Sequence, residues 1–318
     1  MSGMSATTVE EVRAEVEAWL DENWDENLTV GEWWDRLGPS GFAHPALPEN
    51  AYGKGYGQAL ANTVMAVMAE RQVMGPPTGL GRMLAAPTIA AHGSQEQIDQ
   101  FIPPILDGSV GWCQLFSEPG AGSDLAGLGC KAEKDGDEWI ITGQKVWTSG
   151  GQIADWGMLI ARTDPDAPKH KGISFLLCPV DQPGVELRPI AMLSGESEFN
   201  ETFFTDARTA KENVVGEVNG GWAVAMSLLG YERGQAAATM PIEFRHEWDK
   251  LADLARERGR NTDPTIRQRL ASSYIEVEIM RLLGMRTLTG FLNGKQPGPG
   301  ESTFKLYWSE YHRRVTEL

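Results

Sequence analysis

The sequence predicts an α+β protein in which a helical N-terminal domain, a middle antiparallel β-barrel or β-sandwich domain and a C-terminal helical bundle follow one another. Two observations predict this order. Apolar residues recur at helical spacing before residue 112 and again after residue 216. Between them, short β-rich runs alternate with turn signals at roughly ten-residue spacing, which is typical of a compact antiparallel sheet. We therefore place the domains at 1–111, 112–216 and 217–318.

The N-terminal domain carries clear helix-start signals. Thr8 followed by Glu11, and Ser94 followed by Gln97, match the capping box in which two side chains satisfy the first free N–H groups of a helix. A Gly- and Pro-rich stretch at 45–57 interrupts the helical spacing between them. These signals predict four or five helices.

The middle domain is predicted from its β-rich runs, and the sequence Asp135-Gly136-Asp137 is a plausible hairpin turn between two strands. The predicted strands are 112–116, 139–142, 156–161, 173–180, 185–189 and 202–205.

Helices return in the C-terminal domain, at 222–233, 243–258, 264–292 and 302–318. The last of them is rich in aromatic residues and ends without a cap, Gly or Pro. A helix of this kind needs a partner surface, so we expect either that another subunit supplies it or that the chain stops short of its natural end, leaving the bundle incomplete.

The charge balance argues against two classes of partner. The chain has 28 Lys and Arg against 44 Asp and Glu, a net charge of −16. A surface of this sign repels nucleic acid and anionic membranes, so neither is expected to bind.

The remaining composition predicts a cytoplasmic protein without a metal site. No apolar run approaches the length of a membrane span, and no signal peptide is recognisable. The three cysteines are widely spaced within or beside apolar runs, which predicts buried reduced thiols. The five histidines show no ligand spacing.

The segment 112–127, WCQLFSEPGAGSDLAG, joins a short apolar run to a sharp turn through Pro119, Gly120 and Gly122. Such a turn exposes backbone N–H groups, and Ser117 and Ser123 add hydroxyls beside them. Composition alone supports a ligand site and an ordinary hairpin loop equally well.

Two central blocks of sequence give this turn a context. The first is FSEPGAGSD at 116–124 and the second is GQKVWTSGGQIADW at 143–156; ARTD at 161–164, KGIS at 171–174 and VVG at 214–216 continue the same order. Together they resemble the acyl-CoA dehydrogenase family of flavoproteins, and the resemblance covers nearly the whole chain.

This resemblance implies FAD as cofactor and an acyl-CoA thioester as substrate. The implied flavin contacts are Gln114, Phe116, Ser117, Trp147, Thr148 and Ser149. Ser123 is implied to lie toward the pantetheine arm of the CoA thioester. A flavin ring needs an apolar or aromatic wall with hydrogen-bond donors around it, which these residue types provide. The competing interpretation of Trp147 is that it is an ordinary packing residue.

The implied reaction needs a carboxylate that removes the α-proton of the acyl group. In the sequence LLGYERG at 228–234, Glu232 matches the base position of a smaller group of family members, and Arg233 matches a position associated with CoA binding. The apolar residues around Glu232 predict that it is buried. The alternative is a Glu–Arg pair on the helix surface.

The chain departs from the family pattern in its C-terminal domain. In the family, Arg, an aromatic residue and Gly follow the first long C-terminal helix and reach the FAD of a neighbouring subunit. The sequence RERGRNTDP at 256–264 lacks that pattern, and the terminal Glu motif is missing. The sequence STFKLYWSE at 302–310 resembles actinobacterial members that act on steroid side chains or branched acyl-CoAs and form mixed oligomers.

Three functions follow from the resemblance. The first is an FAD-dependent acyl-CoA dehydrogenase, in a homo- or hetero-oligomer such as a dimer of dimers, that passes electrons to an electron-transfer flavoprotein. The second is a noncatalytic or half-site subunit that completes the active site of a homologous partner. The third is an acyl-CoA oxidase.

Overall fold

The computed structural model describes residues 8–293 and 302–318, and it confirms the predicted fold class. Helices, then a curled β-sheet, then helices again follow one another along the chain. The chain forms two compact units, one up to Leu228 and one from Leu229 onward. The first unit contains the N-terminal helices and the whole sheet.

From residue 8 onward, five α-helices precede the sheet: α1 at Val9–Asn23, α2 at Val30–Leu37, α3 at Gln58–Glu70, α4 at Ala86–His92 and α5 at Gln95–Leu106. Both predicted capping boxes are confirmed. The hydroxyls of Thr8 and Ser94 accept from the N–H groups of Glu11 and Gln97, whose side chains accept from the cap N–H groups in return. A π-helical turn at Gly81–Ala85 leads into α4.

The sheet has seven strands: β1 at Trp112–Leu115, β2 at Lys131–Asp135, β3 at Glu138–Lys145, β4 at Trp156–Arg162, β5 at Ile173–Pro179, β6 at Val185–Ile190 and β7 at Phe199–Ala210. Neighbours run in the order β1-β4-β2-β3-β7-β6, with β5 paired to β4. The predicted hairpin at Gly136 joins β2 to β3.

The sheet departs from the predicted antiparallel pattern along β4. Both β1 and the start of β2 are parallel to β4, and β1 pairs with residues 156–159 while Lys131 pairs with Arg162. The chain therefore leaves the sheet after β1 and returns to it at β2. The segment between β1 and β2, which includes 117–124, lies outside the sheet.

The three cysteines lie inside the sheet core, as predicted. All three are buried and unpaired. Burial raises the pKa of Cys113 to about 12 and that of Cys130 to about 11. These thiols are packing residues, because a thiol must ionise and be accessible to react.

Among the described residues, three α-helices follow the sheet: α6 at Gly221–Glu257, α7 at Pro264–Leu292 and α8 at Ser302–Val315. The sequence predicts two helices where α6 is continuous, and that prediction is wrong. Pro241 lies inside α6 and removes one backbone donor. The run Ala236-Ala237-Ala238 just before it has high helix propensity, which favours continuation across the predicted break.

The aromatic helix α8 packs largely against other helices of the same chain. Phe304, Tyr311 and Val315 are buried in one cluster with Phe244 of α6 and with residues of α7. This corrects the expectation that only another subunit or a longer chain supplies that surface. Leu306 remains 67% exposed. No helix within 8–293 or 302–318 is both long and apolar enough to cross a bilayer.

Candidate functional site

The turn after β1 is a small hairpin that projects from the sheet. Glu118 and Ala121 exchange two backbone hydrogen bonds of 3.0 and 3.1 Å. Gly120 and Gly122 have open space where a side chain would be, and Ser123 is exposed. The hairpin therefore presents backbone groups and one hydroxyl to whatever approaches it.

A buried ion pair holds this hairpin in place. Lys145, at the end of β3, is 0% exposed, and its Nζ donates to Glu118 Oε1 at 2.8 Å and to the carbonyl of Phe116 at 2.9 Å. The Glu118 carboxylate also accepts from the N–H groups of Gly129 and Cys130, at 2.7 and 2.9 Å. Lys145 thus holds the residues on both sides of Ser117, which are Phe116 and Glu118.

The electrostatics of this pair follow from its contacts. Burial alone raises the pKa of the Glu118 carboxyl, but the charge of Lys145 and the hydrogen bonds from Gly129 and Cys130 outweigh burial. The net pKa of Glu118 lies below its ordinary value, so the carboxylate stays ionised at neutral pH. Sequence reasoning missed the role of both residues, because no spacing rule joins positions 118 and 145.

The second predicted block lies directly beside the hairpin. The N–H of Val146 donates to the carbonyl of Ser117 at 2.8 Å. The next residue, Trp147, has a left-handed backbone (φ +65°), which is uncommon for a residue with a side chain. Its indole is 59% exposed and rests edge-on against Phe199 at 6.0 Å. Because a packing tryptophan is ordinarily buried, this exposure favours a binding role for Trp147.

Buried polar groups hold Thr148, the residue after Trp147, in place. The Thr148 backbone exchanges two 3.0 Å hydrogen bonds with the backbone of Asn200, and the Thr148 hydroxyl pairs with the Thr202 hydroxyl at 3.0 Å. Asn200 also donates its side-chain amide to the Thr148 carbonyl. Hydrogen bonds therefore fix the backbone next to the exposed indole.

The six predicted flavin contacts differ in how far they are exposed to solvent. Trp147, Ser117 and Ser149 are exposed or partly exposed, and neither serine hydroxyl has a hydrogen-bond partner within the described part of the chain. Gln114 is partly buried on β1. The other two residues, Phe116 and Thr148, are buried.

Burial changes what Phe116 and Thr148 can do. The Phe116 ring lies edge-on to Phe175 at 6.0 Å, inside the sheet. The Thr148 hydroxyl faces Thr202. Both side chains are engaged inside the protein and lie off the open surface, so a flavin contact by Phe116 or Thr148 stays a prediction.

The open surface suits a planar, aromatic and polar ligand. It offers a fixed indole face, two unpaired hydroxyls and a hairpin of free backbone groups. A flavin ring requires this combination, because its faces are apolar and its edge carries hydrogen-bonding nitrogens and carbonyls. The residues present at this site thus fit a flavin.

The predicted base lies in the second unit. Glu232 is on α6, and its side chain is exposed. The prediction that Glu232 is buried is wrong for this chain on its own, although Leu228, one helical turn earlier, is buried. The side chain of Arg233 lies outside the described residues.

Comparisons with known proteins agree along the whole chain. Family models of the acyl-CoA dehydrogenase N-terminal, middle and C-terminal domains match residues 4–109, 113–207 and 219–318. The acyl-CoA dehydrogenase IpdE1 of Mycobacterium tuberculosis is 38% identical over 98% of this chain and 84% of its own length. The chain belongs to the acyl-CoA dehydrogenase family. The family is flavin-dependent, and this protein is an acyl-CoA dehydrogenase.

Further relatives of this acyl-CoA dehydrogenase agree with the predicted actinobacterial branch. FadE34 of Mycobacterium tuberculosis is 39% identical over 88% of this chain and 39% of its own length. Among solved structures, the Tcur3481-Tcur3483 steroid ACAD superposes with a TM-score of 0.77 at 31% identity, covering 99% of this chain and 85% of that one. The ChsE4-ChsE5 complex of Mycobacterium tuberculosis superposes with a TM-score of 0.72 at 28% identity, covering 99% and 86%.

Proposed function

We propose that this chain carries the flavin and thioester wall of an FAD-dependent enzyme that introduces an α,β double bond into an acyl-CoA. One observation carries the proposal. The hairpin at Ser117 and the segment at Trp147 are joined by a hydrogen bond and a buried ion pair, and side by side they present an exposed indole with two unpaired hydroxyls. We also propose that the domain boundaries follow the predicted ranges.

Each open residue has a distinct task in this proposal. Trp147 covers one face of the isoalloxazine ring, while the hydroxyls of Ser117 and Ser149 donate to its polar edge. Ser123 contacts the pantetheine arm of the substrate from the exposed hairpin. When bound, the flavin supplies the acceptor for the β-hydrogen.

Glu232 removes the α-proton in this proposal, and Arg233 binds the CoA moiety. A carboxylate needs a desolvated setting to act as a base near neutral pH. The exposed side chain of Glu232 does not have that setting in the chain by itself. Bound acyl-CoA, or a neighbouring subunit, must therefore cover Glu232 before it reacts.

The proposed partners follow from the relatives. Two of the superposing structures, the Tcur3481-Tcur3483 steroid ACAD and the ChsE4-ChsE5 complex, each have two named components. We propose that this chain likewise assembles with a homologous subunit and accepts a bulky, steroid-derived acyl group. An electron-transfer flavoprotein is the proposed electron acceptor.

A second candidate function is that of a half-site subunit that completes a partner's pocket. The exposure of Glu232 favours it, because a base that lacks cover in its own chain fits a site shared between chains. The two functions differ in whether proton removal is performed by Glu232 or by a residue of the partner.

Flavin content and product formation test the proposed function. We expect the chain, co-expressed with a homologous acyl-CoA dehydrogenase subunit, to purify yellow with FAD and to convert acyl-CoA to enoyl-CoA when an electron-transfer flavoprotein is supplied. Mass spectrometry of the thioester measures the product. A chain that stays colourless and inactive both alone and in complex contradicts the proposal. Release of peroxide in air, without need for the acceptor protein, instead indicates an oxidase.

A further inference from the structure

Asn200 is a buried residue of β7 that bonds to the chain on both sides of Ser149. It is 0% exposed. Its side-chain Nδ2 donates to the carbonyl of Thr148 at 3.0 Å and to Oε1 of Gln152 at 2.6 Å. Its backbone exchanges two further 3.0 Å hydrogen bonds with Thr148. One residue of the sheet therefore holds both ends of the turn 148–152.

Two more hydrogen bonds join this turn to the residues just before Asn200. The N–H of Gly150 donates to the carbonyl of Glu198 at 3.1 Å. The side-chain amide of Gln152 donates to the carbonyl of Ser197 at 2.8 Å, while its oxygen accepts from Asn200. The exposed side chain of Gln152 is thus fixed at both ends of its amide, and the turn is held along its whole length.

The side-chain amide of Asn200 acts only as a hydrogen-bond donor. The Thr148 carbonyl can only accept, so it determines which end of the amide faces the turn. The other end, Oδ1, is buried without a hydrogen-bond partner in the part of the chain that the structure describes. An unpaired buried acceptor costs free energy. The position retains an amide in spite of this cost, which indicates that the two N–H donors are what the turn requires.

The turn begins directly after a residue with a rare backbone conformation. Trp147 has a φ of +65°, and a residue with a side chain keeps such a conformation only where the surrounding structure holds it. The turn also closes tightly, because a side-chain carbon added to Gly151 would lie 3.4 Å from Nδ2 of Asn200. The bonds to Asn200 therefore fix the backbone from which the Trp147 indole and the Ser149 hydroxyl project.

We propose that Asn200 is a positioning residue for the flavin, whose amide N–H groups hold Trp147 and Ser149 in the arrangement that binds the isoalloxazine ring. Asn200 is fully buried, so it acts through these two residues and does not touch the flavin. This inference rests on the proposed function and adds to it the residue that prepares the flavin wall before binding. If the turn relaxes, only the molecules that keep the wall bind flavin, and the apparent Kd rises by the inverse of their fraction.

The test measures FAD binding to the full chain, co-expressed with a homologous acyl-CoA dehydrogenase subunit and then freed of flavin. Asn200→Leu keeps a side chain of similar size but removes both donors. We expect it to raise the Kd for FAD by about tenfold or more, the effect of leaving a buried hydrogen-bond partner unsatisfied. At saturating FAD, the KM for acyl-CoA should change less than about twofold, because no thioester contact is proposed to depend on Asn200.

Two further variants separate positioning from packing. Asn213→Leu is the matched control, because Asn213 is also a buried asparagine and donates to the hydroxyl of Thr209, at the opposite end of β7 from Asn200. It should lower the stability to urea but leave the Kd for FAD within about twofold, as expected for an independent site. Gln152→Met, at an exposed position, removes one acceptor of the Asn200 amide without disturbing the core, and it should raise that Kd by about threefold.

Hydrogen exchange of the flavin-free complex separates this inference from the proposed function. Peptides that cover 146–153 should exchange faster in Asn200→Leu than in the wild type. Unchanged exchange there, unchanged affinity for FAD, or equal losses of affinity in Asn200→Leu and Asn213→Leu overturns the positioning role and leaves the proposed function standing. A wild-type complex that binds no FAD contradicts the proposed function itself, and the positioning role fails with it.

Discussion

Replacing Glu232 with Gln is expected to lower acyl-CoA turnover by about 10²- to 10⁴-fold, the usual contribution of a positioned general base. Gln keeps the size of the side chain but does not accept the α-proton. The visible flavin spectrum should stay unchanged, because no contact with the flavin is proposed for Glu232. Steady-state rates with the assembled enzyme and an artificial electron acceptor measure the loss.

Glu243→Gln is the matched control for this prediction. Glu243 is another exposed carboxylate of the same helix, and no role in the reaction is proposed for it. Its removal should leave turnover within about twofold, as expected for an exposed surface substitution. If Glu232→Gln turns over at the wild-type rate with flavin bound, proton removal belongs to another residue, and the half-site function becomes the better account of this chain.

Replacing Lys145 with Met is expected to destabilise the protein by about 3 to 5 kcal/mol, because the substitution leaves Glu118 as a buried, unpaired carboxylate. The hairpin also loses the bond from Lys145 to the Phe116 carbonyl, which leaves the Val146 bond to Ser117 and the Gly129 and Cys130 bonds to Glu118 to hold it. We expect flavin affinity to fall along with stability. Urea unfolding and flavin release on dilution measure the two effects.

Two further variants identify the ion pair as the cause. The double variant Glu118→Gln with Lys145→Met buries no charge, so it should be more stable than Lys145→Met alone. Lys131→Met removes an exposed pair with Glu133 and should cost at most about 1 kcal/mol. Equal losses for Lys131→Met and Lys145→Met contradict the assigned role of the ion pair.

The fold was largely predictable because its signals are local. The capping boxes at Thr8 and Ser94, the change of periodicity at Trp112 and the helix start at residue 264 each depend on a few neighbouring residues, and the structure confirms all of them. Strand β2 was missed because it alternates charged residues with a single buried Ala132. The continuous helix α6 was missed because Pro241 resembles a stop signal, although its flanking residues favour helix.

The sequence predicted those parts of the candidate site whose side chains suit a flavin ligand, but it did not predict the residues that hold them in place. The sequence singled out Ser117 and Trp147, and the structure joins their segments by the Val146 to Ser117 hydrogen bond. The sequence could not identify Lys145 as the residue that holds the Ser117 hairpin, because a lysine in a strand is ordinarily exposed. The burial of Glu232 was mispredicted for a related reason: apolar neighbours along a helix bury a side chain only where another element packs on that turn.

The most direct test of the flavin and thioester wall is anaerobic mixing of the assembled, FAD-containing enzyme with a steroid-derived or branched acyl-CoA while the flavin absorbance is followed. We predict that the visible flavin band bleaches as enoyl-CoA forms, and that Trp147→Ala and Ser117→Ala each slow the bleaching. A flavin that stays oxidised with every acyl-CoA, or that bleaches at the wild-type rate in both variants, would contradict the assignment of this surface.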